Sequence, residues 1–287
     1  MARALLGRHS ALGSCQKATF LGRVPFLLPH EVLGQYMATP GVEPELPALE
    51  SWLGRRLASV CSAWGEPAQD MLPVALHGDG VPAQGRMNQT TLDFLTWNMP
   101  SCQRHASLRI PICCLDAKWN AGEATIGAIW TVVAWSFRAL GMGQYPGALR
   151  DDTPWGDGEG ARGRRAGRSL HKAAPVFLRA GWDYYCKWLG APQFNVKRGM
   201  CWLRTCKPAE WRLWGPRERR GASLSKAEFL AGVCARGKVP AAIFELPCVT
   251  NHPAGVRHPP ARAAQGLWGL LQRLYDEHKV PKQQRLA

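Results

Sequence analysis

A chain of 287 residues with 46% apolar residues and 13 tryptophans can build a sizeable core in one large domain or two small ones, which excludes a wholly disordered chain. Its formal net charge of +15 favours polyanionic partners, nucleic acid first and anionic membrane surfaces second, although a GC-rich coding sequence inflates Arg, Ala, Gly and Pro in the same way with no binding role. Its 10 cysteines are too scattered for a small secreted scaffold and read as mostly buried thiols in a reducing compartment, and the longest apolar stretch, 124–137, is short of the roughly 20 residues that cross a bilayer.

Residues 1–47 read as a basic, Pro-containing, poorly ordered leader. Arg3, Arg8, Lys17 and Arg23 all precede the first acid, Glu31. That charge resembles an organellar transit peptide, but Gly7, Gly13, Gly22 and Pro25 interrupt any helix and favour an unstructured leader. Leu49–Trp64 is predicted to be a short helix, with Leu49, Leu53, Leu57 and Val60 at helical spacing. Leu72–His77 alternates as a strand and is expected to close at the turn residues Gly78–Pro82. Leu92–Trp97 and Leu108–Leu115 are the next strands, and Pro111 marks the second as an edge or bulged strand.

Glu123–Leu140 carries the strongest helical pattern, with Ile126, Ile129, Trp130, Val133, Phe137 and Leu140 on one stripe and Val132, Ala134 and Trp135 beside it. Asp151–Gly167 reads as a Gly/Arg loop. Pro175–Leu178 is a fourth strand, leading directly into Gly181–Trp188. Ser225 and Glu228 form a capping-box pattern for a helix to about Cys234, and Gln265–Glu277 reads as a final helix. The order strand, strand, strand, helix, strand is that of a ribonuclease-H-like α/β mixed sheet with flanking helices, here with irregular Gly/Pro/Arg-rich segments added.

Three stretches carry a resemblance: His77–Pro82, Arg179–Asn195 and Met200-Cys-Trp202. Together they resemble a multicopy transposase-like family of dinoflagellate genomes, itself distantly similar to CACTA-type DNA transposases. The similarity covers roughly 72–271, so residues 48–287 are expected to form a transposase-like domain, truncated or degraded in its C-terminal part. It implies an acidic triad holding Mg²⁺ or Mn²⁺, DNA as partner, no membrane and a nuclear location, with organellar import the alternative.

Asp79 is the candidate metal ligand and catalytic acid. A strand-end carboxylate beside glycines can bind Mg²⁺ while a phosphate backbone approaches. On the residues alone, Asp79-Gly80 reads instead as a turn whose carboxylate bonds its own backbone. Where the family has its second acid this chain has Gly181, and the nearest carboxylate, Asp183, would lie about 6–7 Å further along a strand. Asp183 is therefore a weaker catalytic candidate, and reads better as a solvent-facing or helix-capping carboxylate. The third acid has no counterpart, since Asn251–Pro260 contains none.

Cys201, Cys206, His252 and His258 approach zinc-ligand spacing, but the 45 residues between the pairs are too many for a compact finger. The basic signal is stronger. From Arg150 to Lys238 there are 19 Lys and Arg against 8 Asp and Glu. Within this stretch Lys197, Arg198, Arg204, Lys207, Arg212, Arg217, Arg219 and Arg220 are interleaved with Trp211 and Trp214. That pattern suits phosphate neutralisation with base stacking; a solvated charged face over core tryptophans is the structural alternative. The function expected is a transposase-derived nucleic-acid-binding protein without strand cleavage. The alternatives are an active metal-dependent transposase or nuclease, and a non-functional relic of a mobile element.

Overall fold

The computed structural model describes residues 2–5, 23–40, 45–83, 90–102, 109–192 and 224–247. Strands β1 (Ala2–Leu5) and β2 (Arg23–Phe26) pair antiparallel as a two-stranded ribbon. Helix α1 (Pro29–Met37) follows, and Pro29 suits its first turn because that N–H would be unpaired anyway. Val24, Phe26, Leu28 and Leu33 are buried. Residues 23–37 thus join the core, where a poorly ordered leader through 47 was expected. Their short apolar alternation is enough once a larger surface receives it.

Helix α2 (Trp52–Trp64) starts later than Leu49 because Ser51 caps it, its hydroxyl accepting from Gly54 N at 2.9 Å, and it ends on Gly65 at φ 71°. Strand β3 (Met71–Ala83) is longer than predicted. The turn expected at Gly78–Pro82 does not form, because β4 (Thr90–Asn98) supplies a continuous antiparallel ladder from Ala75↔Asn98 to Ala83↔Thr90. Strand β5 (Ile110–Asp116) pairs antiparallel with β4, with a register irregularity at Leu95/Thr96 opposite Pro111. Its edge position fits a proline that donates no ladder bond.

Helix α3 (Glu123–Met142) then crosses to β6 (Lys172–Ala180), which lies parallel to β3. The sheet order is β5-β4-β3-β6. The four strands read from the sequence thus share one mixed sheet, with flanking helices. By length and composition α3 alone among the described helices could cross a membrane, but 67% of its apolar window is buried, as in a core helix. Ile129, Trp130, Val133, Phe137 and Leu140 are fully enclosed. Arg56 of α2 donates from Nε to Val176 O at 3.1 Å, covering part of the exposed edge of β6.

The Gly/Arg loop holds the single turn α4 (Gly160–Gly163), organised by Arg162. Helix α5 (Trp182–Trp188) folds back onto β3. Its Tyr184 ring occupies the space beside Gly78, where a Cβ would stand 2.1 Å from the ring, so this glycine serves close packing rather than a turn. Trp188 stacks on Tyr184 and meets Trp130 edge-on, while Trp130 Nε1 donates to Trp188 O at 2.8 Å. Helix α6 (Lys226–Ala235) opens on the predicted capping box: Ser225 Oγ accepts from Glu228 N, and the Glu228 carboxylate accepts from Ser225 N. Among the described residues no disulfide forms; Cys61, Cys102, Cys113 and Cys186 are buried, and Cys114 and Cys234 exposed.

Candidate functional site

Alternation along β3 places His77, Asp79 and Val81 on one face of the sheet and Gly78 and Gly80 on the other. Phe94 and Thr96 of β4 stand opposite Asp79 and His77, and Arg179 of β6 pairs in register with His77. Arg109, immediately before β5, closes the far side. These side chains and the Ala180-Gly181 backbone line an open cleft of about 500 Å³.

Asp79 is exposed, and its Oδ1 accepts from its neighbour Gly80 N at 2.9 Å. This is the backbone-bonding geometry that the turn reading anticipated, set in an extended strand. Gly181 caps α5 and has open space where a Cβ would be. The strand-to-helix corner is clamped by Tyr185, whose hydroxyl donates to Leu178 O at 2.9 Å and accepts from Ala180 N at 3.0 Å. Asp183 is on α5, exposed and paired with Lys187 Nζ at 2.6 Å. It is thus the solvent-facing helical carboxylate of the structural reading, and it is not among the cleft residues. The extended geometry assumed for its offset from Gly181 is corrected: helix begins at Trp182.

Another acid, Asp93, belongs to the opposite face, across from Gly80. It is buried beneath α5. Burial pushes its carboxyl up, opposed by the Lys187 charge and by the Trp188 indole N–H, which points to it without closing a well-formed hydrogen bond. Asp79 and Asp93 are therefore separated by the sheet itself. Among the described residues no three His, Cys, Asp or Glu groups gather in a metal-holding cluster. The donor set in the cleft does not fit Mg²⁺ or Mn²⁺. A hard dication wants several oxygen ligands, and among the described lining residues one carboxylate accompanies two guanidiniums.

The cleft has instead a cationic character that sequence reasoning missed. His77 is buried and its Nε2 lies 2.7 Å from Asn98 Oδ1. Burial, with lesser contributions from Arg109 and Arg179, lowers its pKa to about 4 against the opposing Asn98 bond, so the ring is neutral at pH 7. Burial and the nearby Arg179 charge also lower Arg109. Arg179 lies over the Phe177 ring at 4.5 Å. The signal available in the sequence was the two-residue spacing of His77 with Asp79 and of Arg179 with Gly181, each pair sharing a face once the strand is known. Lys197, Arg198, Arg204, Lys207, Trp211, Arg212, Trp214, Arg217, Arg219 and Arg220 lie outside the described residues. So do Cys201, Cys206, His252 and His258.

No protein family, curated protein or solved structure matches this chain.

Proposed function

We propose that this chain is a nucleic-acid-binding protein built on a ribonuclease-H-like, transposase-derived scaffold, without strand-cleavage chemistry. The observation that carries the reading is the cleft on β3, whose described lining holds one carboxylate, Asp79, together with Arg109 and Arg179. The sheet order β5-β4-β3-β6 with the α3 crossover supports the scaffold, since three antiparallel strands, a helix and a returning parallel strand are what such a sheet begins with. Two-metal cleavage requires carboxylates converging on both ions. Asp183 is engaged with Lys187, and Gly181 brings no carboxylate to the cleft. A positive cleft suits a polyanion backbone, and the charge of the whole chain, +15, would draw one in.

The test is fluorescence anisotropy with a labelled single-stranded and a labelled duplex oligonucleotide over rising salt, followed by a nicking assay with Mg²⁺ and Mn²⁺. Affinity should fall steeply with salt, as released counterions drive binding, and no nicking above background should appear with either ion. Affinity that is flat with salt overturns the binding reading. Metal-dependent nicking abolished by Asp79→Asn overturns the inactive one.

A further inference from the structure

We infer that the cleft between β5 and β6 is an oxyanion site in which Arg109 and Arg179 jointly hold one phosphate-type group, and in which Asp79 opposes binding rather than supporting it. This deepens the proposed function and rests on it for the source of the phosphate, while the site itself stands on its own geometry.

Arg162 is saturated by Glu31 and Glu159; Arg138 meets Glu245; Arg236 donates to Gly190 O. Arg109 and Arg179 make no hydrogen bond or ion pair among the described residues, yet both face one cleft. They come from opposite edges of the sheet. β5 and β6 are three strand spacings apart, about 14 Å between backbones, a span that two extended arginine side chains can bridge over β3 and β4. Like charges converging without a counter-ion raise each other's energy, and an anion between them removes that cost. A guanidinium offers a planar fork of donors that matches two oxygens of a phosphate. Arg179 is already laid against Phe177, so less freedom is lost on binding.

The remaining groups define what the site takes. His77 is neutral, held on Asn98, and lies on the strand next to Arg179, in register with it. The Thr96 hydroxyl is turned to His77 O at 3.4 Å. Asp79 is the one negative group among the described residues that line the cleft. In a metal site Asp79 would be indispensable; in an oxyanion site its charge repels the ligand. The two arrangements therefore give opposite signs for one substitution.

The experiment uses the full chain without added metal. Pyrophosphate binding is followed by calorimetry and by the imidazole resonances of His77, and a short single-stranded oligonucleotide is titrated separately and in competition. Wild type should bind pyrophosphate, with His77 titrating at higher pH in its presence. Arg109→Gln with Arg179→Gln should weaken binding roughly ten- to hundredfold, the loss of charge-assisted hydrogen bonds, with an unchanged thermal melt. Asp79→Asn should tighten it about fivefold. A weaker Asp79→Asn complex, or binding that needs Mg²⁺, overturns the oxyanion site. Pyrophosphate binding that the oligonucleotide does not compete for upholds the site, identifies the ligand as a free phosphate compound, and sinks the nucleic-acid reading. Oligonucleotide binding that survives both Gln substitutions and ignores pyrophosphate upholds nucleic-acid binding and overturns the site.

Discussion

Arg162 and Arg109 place the same guanidinium in opposite circumstances. Arg162, only 9% exposed, donates from Nε and Nη2 to the two Glu31 oxygens at 2.6 and 3.0 Å and from Nη1 to Glu159 at 2.6 Å, and these bonds raise its pKa. Arg165 adds a longer contact to Glu31 and lies over the Tyr145 ring. In that region the charge belongs to the fold: it ties α1 to the loop before β6. Arg109 is exposed and has no carboxylate partner among the described residues, and partial burial, with the nearby Arg179 charge, lowers its pKa. A positively charged composition thus divides into cations that hold the chain together and cations that no described carboxylate pairs. The proposed function rests on the second kind.

Glu31→Ala leaves a nearly buried guanidinium with half its partners, and should cost about 3 kcal/mol of stability, read as a lower urea midpoint at unchanged slope. A loss under 1 kcal/mol would make Arg162 as dispensable as a surface charge. Acid probes the same region next. His30 is buried beside Glu31, its Nδ1 2.8 Å from Ser136 Oγ, and burial lowers its pKa to about 4, as at His77. The unfolded chain takes up these protons near the ordinary pKa of 6.5, before the folded chain does, so stability falls as pH drops from about 6.5 to about 4. The carboxyl of Glu31 is held low by Arg162 against the effect of burial, so its contribution is lost on further acidification, below the ordinary 4.5. Melting temperature against pH should show this descent, shallower in His30→Gln; a flat profile would contradict it.

On the cleft side, effects on folding should be small. Gly181→Asp adds a side-chain cap to α5 and should gain a few tenths of a kcal/mol, without creating nicking activity. Arg109→Gln and Arg179→Gln should each stay within about 0.5 kcal/mol of wild type in thermal melts. If either costs as much as Glu31→Ala, the cleft arginines are structural and the division fails.

The scaffold was largely legible in the amino-acid order, and the site was not. Period-2 runs such as Leu72, Val74 and Leu76 and the helical stripe of Ile126, Trp130, Val133 and Phe137 announce their elements because each signal is local. The full length of β3 was hidden: Gly78, Gly80 and Pro82 look like turn residues, and the β4 ladder overrides them. The Arg162–Glu31 pair spans 131 positions, and no pattern in a single chain announces such a partner. Arg109 and Arg179 share the same difficulty. Neither has a motif, and they become a pair only when β5 and β6 flank the same two strands. Asp79 was visible as a candidate, but its meaning depends on neighbours that the fold supplies.

The parallel pairing of β3 with β6 also imposes an order on events during synthesis. The meander β3-β4-β5 closes through nearby residues, whereas His77 meets Arg179 only after α3 and the loop beyond it have been made. Until then one flank of β3 has exposed backbone donors and acceptors, and the apolar stripe of α3 has no β6 to rest on. Long-range pairing of this kind is slow and leaves sticky intermediates. The emerging chain therefore passes through an interval with an open strand edge and an uncovered, membrane-length apolar helix, when a helper that shields such surfaces would matter most to its yield.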